Sequence, residues 1–494
     1  MRKSGILMPV FSLPSDYGIG TLGHEAYRFI DFLKRAGQSV WQLLPIGQTG
    51  LGDSPYQSFS SYAGNPYFID LDLLAQWGYL DRLEYKDVDF GGKDGIDYGV
   101  LWQKRYSVLK LAYKRFITAP SEQYATFCAQ NAWWLDDYAL FCAIKDKHGG
   151  APWNKWESPL KKRDPSRLEQ VRKQLFDSVE FYKTLQYFFI VQWRNLKQYA
   201  NQNGIEIMGD LPIYVAYDSA DVWASPDQFE LDENLNPIEV AGCPPDAFSA
   251  DGQLWGNPLY NWEKMKNEWP KFNFWRSRIS YSLKLYDIIR IDHFRGFESY
   301  YAIPFGDKTA RQGRWRKGPD YELFSDIERD MGKLPIVAED LGYLTDEVRN
   351  LLSLCGYPGM KVLQFAFDSR EDSDYLPHNY TKNCVVYTGT HDNDTIVGWE
   401  KSAASDDVKE AKRYIRYSQK EGLALGMIKT AMASVADTAI IPMQDYLELS
   451  SVARINTPST ASGNWRWRMK KDAATDALAV LIYELTKTYR RLPK

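Results

Sequence analysis

Apolar runs of a few residues recur along the chain, separated by stretches whose apolar positions fall three or four apart. Short runs bounded by turn residues read as strands buried on both faces, and the wider spacing reads as amphipathic helix. Gly5-Ile-Leu-Met-Pro9 predicts a first strand. A helix follows from about His24 to Ala36, with Tyr27, Ile30 and Leu33 on one face and Gly37 as its stop. Ser39 to Ile46 is the second strand, which completes a β-α-β unit. Six more strands are predicted at Ile205–Val215, Ile288–Asp292, Pro335–Gly342, Met360–Phe367, Cys384–Asn393 and Thr438–Tyr446. Helices are predicted near Val179–Asn203, Trp275–Leu285, Thr345–Gly356, 405–434 and Ala474–Tyr489. This alternation predicts an α/β fold, a (β/α)8 TIM barrel, as one domain over residues 1–494. Two stretches interrupt it. Residues 71–177 read as a helical insertion after the second strand, and 216–270 as a loop-rich insertion over the barrel mouth.

In such a barrel the reactive groups gather where the strands end. Asp210 ends the third strand, Asp292 the fourth and Glu339 the fifth. His391 and Asp392 end the seventh, and Gln444 and Asp445 the eighth. Arg290 and Asp292 lie two apart on a strand, so they share a face, and the guanidinium favours an ionised aspartate. A structural ion pair has the same pattern. The convergence of carboxylates points instead to glycosidic chemistry, in which an acid and a nucleophile flank the scissile bond. Glu339 has Ala338 and Leu341 beside it and no adjacent base, as suits a general acid. A magnesium-dependent barrel would use similar acids, but the glycine-rich phosphate turn and lysine base expected of one are not seen.

Composition narrows the partners. A net charge of −4 with both signs mixed offers nothing for nucleic acid or an anionic membrane. No apolar run reaches the ~18 residues of a membrane span. Five scattered cysteines, an odd number, predict reduced thiols and a cytoplasmic setting. Seventeen Trp, 33 Tyr and 23 Phe first suit a large core and are also compatible with stacking on sugar rings. The tyrosines and hydroxyls of the loop from Gly52 to Tyr67 fit the second use.

Several segments, in this order, resemble one family. They are Ser54-Pro-Tyr-Gln-Ser58, Gly209-Asp-Leu-Pro212, Gly252-Gln-Leu-Trp-Gly-Asn-Pro-Leu-Tyr260 and Arg290-Ile-Asp-His-Phe-Arg-Gly296. Ala338-Glu-Asp-Leu-Gly342, Gly389-Thr-His-Asp-Asn-Asp394, Asn456-Thr-Pro and Asn464-Trp-Arg-Trp-Arg468 complete the set. Together they resemble the 4-α-glucanotransferases, the amylomaltase or disproportionating-enzyme type of glycoside hydrolase family seventy-seven. The resemblance implies a glycosyltransferase that moves part of an α-1,4-glucan to another glucan or to glucose, through a covalent glucosyl-enzyme. It implies Asp292 as nucleophile, Glu339 as acid/base and Asp392 as transition-state stabiliser. Arg290, His391, Asp210, Tyr56, Trp255 and Asn464 would bind substrate, without metal or cofactor. A retaining α-glucan hydrolase with the same residues is the alternative, and an inactive glucan-binding protein is a third reading. Residues 242–260 are expected to act as a lid.

Overall fold

The structure is a computed structural model that describes residues 2–493 except 51, 94, 246–249, 343, 371–372 and 461. In chain order the strands are β1 (Lys3–Leu7), β2 (Val40–Gln42), β3 (Glu206–Leu211), β4 (Glu239–Cys243), β5 (Gln253–Pro258) and β6 (Ile288–Ile291). They continue with β7 (Ser299–Pro304), β8 (Arg314–Lys317), β9 (Ile336–Ala338), β10 (Gly359–Val362), β11 (Cys384–Tyr387) and β12 (Thr438–Pro442). Eight of them form one parallel sheet in the order β10-β11-β12-β1-β2-β3-β6-β9. Every expected barrel strand is present, and helices alternate with the strands as expected. Between the outer members β9 and β10, the Ala338 N–H donates to Pro358 O at 2.9 Å. The buried Asp340 carboxylate accepts the Met360 N–H at 2.6 Å. The sheet therefore closes into a barrel through one backbone bond and a side chain.

The strands read as apolar runs because both faces are covered. Leu7, Val40, Met208, Val337, Met360, Val362, Val385, Tyr387 and Ile440 fill the barrel interior. The outward residues pack under helices such as His24–Arg35 and Phe176–Gln202. At the opposite end from the mouth, the C-terminal Arg491 is fully buried and donates to Lys3 O, Met432 O, Ser434 O and Ala436 O at 2.9–3.2 Å. That side chain ties β1 to the segment leading into β12.

Residues 71–177 carry the helices Leu71–Gln76, Tyr98–Phe116, Glu122–Lys147, Ser158–Lys161 and Pro165–Gln174. The region 216–270 differs from a plain loop. It contains β4 and β5, which join β7 and β8 in an antiparallel sheet ordered β5-β4-β7-β8. Residues 246–249, within the expected lid, lie outside the described residues.

Candidate active site

Register places the charges at the mouth. Asp210 on β3 is the lateral partner of Arg290 on β6, so the two side chains leave their strands on the same face. Arg290 Nη1 donates to Asp210 Oδ1 and Oδ2 at 2.7 and 2.8 Å, and to Asp292 Oδ1 at 3.0 Å. Ile291 and Ala338 are lateral partners on β6 and β9, and Asp292 and Glu339 each follow one residue later. The two carboxyls therefore emerge from adjacent strands at the same level. The Arg290 and Asp210 side chains are buried, whereas that of Asp292 remains 28% exposed. Asp292 is thus the more open of the two carboxylates that Arg290 holds.

Chain reversal after Asp292 fixes Glu339. His293 takes the left-handed conformation, φ +48° and ψ +48°, at a cost of about 1–2 kcal/mol for a residue with a Cβ. That turn aims the His293 N–H at Glu339 Oε2, 2.5 Å away. Burial pushes the Glu339 carboxyl above its usual range, with Arg290 and the His293 N–H opposing. Burial also raises Asp292, against the pull of Arg290, and Asp210, Glu339 and Asp392 add to the rise. Burial lowers the pKa of the His293 ring to about 3. It lies edge-on to Trp255 of β5, 4.8 Å between ring centres.

The third acid arrives from the loop after β11. His391 Nε2 lies 3.3 Å from Asp392 Oδ2, and burial shifts His391 downward, so at neutral pH the neutral ring is favoured. Asn456 Nδ2 donates to Asp392 Oδ1 at 2.6 Å, and Arg454 Nη2 donates to the Asp392 carbonyl at 2.6 Å. Tyr56 closes one side of the mouth: its hydroxyl donates to Asp210 Oδ2 at 2.7 Å, and its ring stacks on His391 at 5.2 Å. Trp465 packs against both of these rings.

Tyr56, Asp210, Arg290, Asp292 and Glu339 thus belong to one linked group, and His391 and Asp392 join it through the Tyr56 ring. Trp255 joins it through His293. Asn464 has a local role, since its Oδ1 accepts the Thr457 N–H and its Nδ2 donates to Thr460. It shapes the loop that carries Asn456. Gln444 and Asp445, expected at the mouth, are instead buried in the short helix Met443–Tyr446. The Asp445 carboxylate accepts from Thr388 Oγ1 and the Ile396 N–H, a structural use. Asn456, Arg454, His293 and Trp465 were not among the expected site residues. The segment Asn456-Thr-Pro was a recognisable signal for the first of them. Among the described residues no group of His, Cys, Asp and Glu is arranged to hold a metal ion.

Comparison with known proteins identifies the family. The family model described as 4-alpha-glucanotransferase, glycoside hydrolase family 77, matches residues 8–474. The chain belongs to this family. A 4-alpha-glucanotransferase of Clostridium butyricum is 51% identical over 98% of this chain and 100% of its own length. That of Thermus thermophilus is 48% identical over 95% of each. The amylomaltase of Streptococcus agalactiae, solved in complex with acarbose, superposes with a TM-score of 0.97 at 42% identity, covering 100% of both chains.

Proposed function

We propose that this protein is a 4-α-glucanotransferase that cleaves an α-1,4-glucan and passes the glycosyl part, with retention, to the 4-hydroxyl of another glucan or of glucose. The observation that carries the reading is the gathering of Asp292, Glu339 and Asp392 around Arg290 at one barrel mouth, in a chain of that family.

Both carboxyls are shifted upward with Arg290 opposing the rise at each, so the two compete for a proton. The direct Arg290 bond assigns the charge to Asp292, and the proton stays with Glu339. Glu339 Oε2 is engaged by His293, so the other oxygen carries that proton. In the first step Glu339 protonates the glycosidic oxygen as the C1–O bond breaks. An Asp292 oxygen forms a bond to C1 from the opposite side, and the leaving glucan departs with a free 4-hydroxyl. In the second step Glu339, now ionised, takes the proton of an acceptor 4-hydroxyl. That oxygen attacks C1, the Asp292 ester bond breaks, and both residues return to their starting states. Two inversions amount to retention. Asp392, held by Asn456 and His391, offers negative charge to the oxocarbenium-like sugar. Trp255, on the strand within the expected lid, supplies an apolar face beside the acid/base, which favours a sugar acceptor over water.

The test is incubation with maltotriose, following glucose, longer oligosaccharides and total reducing ends. Transfer predicts glucose plus a ladder of longer glucans at constant reducing ends. Reducing ends that climb with each cleavage would make water the acceptor and the protein a hydrolase. A second expectation concerns Asn456→Ala, which frees the Asp392 carboxylate to swing. kcat should fall about 10- to 100-fold with KM within about twofold. An unchanged kcat would remove Asn456 from the machinery.

We also assign the protein to the cytoplasm, on its odd, scattered cysteines. No helix among the described residues is long and apolar enough to cross a membrane.

A further inference from the structure

A pocket of about 310 Å³ opens between the insertion helix Glu122–Lys147, the loop after β2 and the helices Ala220–Ala224 and Asn273–Leu285. Asp292, Glu339 and Asp392 are not among its lining residues. It adjoins a narrow cleft of about 60 Å³ through shared Ser60, Tyr62 and Asp221, and that cleft is also lined by Tyr56 and Asp210. One wall is aromatic. Trp133 is 52% exposed, yet its ring is fixed edge-on against Tyr62 at 4.7 Å, and Trp134 backs Tyr62 at 6.1 Å. A large exposed indole held rigid beside a cavity is the kind of apolar surface that marks a binding site.

The other wall is made of acceptors. Gln228 is 8% exposed and lines the pocket. Its Nε2 donates to Glu268 Oε2 at 3.0 Å, which fixes the amide orientation and leaves Oε1, a buried acceptor, without a partner. Asp221 accepts the Ser61 N–H through one oxygen, at 2.7 Å. Arg163 already pairs with Asp137 at 2.8 Å, which lowers the pull on a cationic ligand. Lysine and arginine do not contribute to the lining, so an anion has nothing to hold it. A flat aromatic face in one pocket with the unpartnered Gln228 Oε1 and the Asp137 and Asp221 carboxyls calls for a neutral ligand with apolar ring faces and hydroxyl donors.

We propose that this pocket is a second carbohydrate-binding site, which holds an α-1,4-glucan away from the catalytic carboxylates. The assignment rests on the glucan reading above. It gives the enzyme a grip on long glucans that short substrates do not use.

Calorimetric titration of maltoheptaose into Asp292→Asn, in which turnover is blocked, should resolve two binding events. Adding Trp133→Ala should weaken one of them about tenfold or more and leave the other. Gln228→Leu should weaken the same event, and Trp133→Phe should largely keep it. On the active background, Trp133→Ala should transfer between maltotriose molecules at the normal rate, with KM for long amylose raised about three- to tenfold. A single event in Asp292→Asn, a second event indifferent to both pocket substitutions, or displacement of the second event by spermidine overturns the proposal. Failure of the unaltered enzyme to act on maltotriose would instead strike the glucan reading, and the pocket's assignment with it.

Discussion

Asp292→Asn should lower transfer between maltotriose molecules by about four orders of magnitude or more, with no loss of thermal stability. Two facts combine in that expectation. An amide oxygen is too weak a nucleophile to form the glycosyl ester, and no neighbouring carboxyl can replace it, because Asp210 is fully engaged by Arg290 and Tyr56. The stability half follows from linkage. Burial and neighbouring acids raise the Asp292 carboxyl in the folded state, so the ionised form is disfavoured by folding at every pH above its unfolded pKa. Removing that charge relieves the native state, while Arg290 keeps both bonds to Asp210. Thermal unfolding should report an equal or higher midpoint beside a lost activity. A clear drop in the midpoint would mean that Asp292 is a structural partner of Arg290 and not a group held in readiness.

Arg290→Met should do the opposite to stability. It removes the only basic group bonded to Asp210 among the described residues, and leaves that carboxylate, whose side chain is 0% exposed, with the Tyr56 hydroxyl alone. Breaking a buried pair on one side costs about 3–5 kcal/mol. Chemical denaturation should read that loss. Residual activity carries a second signature. The nucleophile must be ionised, so activity is lost as pH falls through its pKa, and without Arg290 that pKa rises further. The acid limb of the kcat/KM profile should therefore move to higher pH. Asp210→Asn on the unaltered arginine should move it the other way, to lower pH, since a charge that raises Asp292 is lost while the Arg290–Asp292 bond survives. An acid limb that stays in place in Arg290→Met would show that the guanidinium does not tune the nucleophile.

Legibility in the sequence followed burial. The barrel strands are covered on both faces and appear as runs such as Cys384-Val-Val-Tyr387 and Thr438-Ala-Ile-Ile-Pro442, which few other structures would require. The helices announced themselves by spacing and by glycine stops such as Gly37 and Gly204, both at positive φ. The small antiparallel sheet was invisible for the converse reason. Arg314-Trp-Arg-Lys317 is short, charged and mostly exposed, and β5 alternates around a glycine at positive φ, so neither carries an apolar run. At the site, the strand-end acids were readable because a barrel maps sequence position onto space. Asn456 was marked only by its motif and Arg454 not at all, because they reach Asp392 from a loop after the last strand, more than sixty residues away along the chain. Asp445 misled because it follows a strand as the catalytic candidates do, yet the short helix Met443–Tyr446 turns it into the protein.

The pairing of β1 with β12 sets a condition on synthesis. One edge of β1 finds β2 after some forty residues, but the other waits for residues 438–442, and the Arg491 tie for almost the last of the chain. At ~5–20 residues per second, that edge emerges tens of seconds before its partner. An unpaired apolar edge on a growing chain is a template for joining a neighbouring chain. Until residues 438–442 are made, the barrel sheet stays open at β1, and closure waits on the last strand to be synthesised.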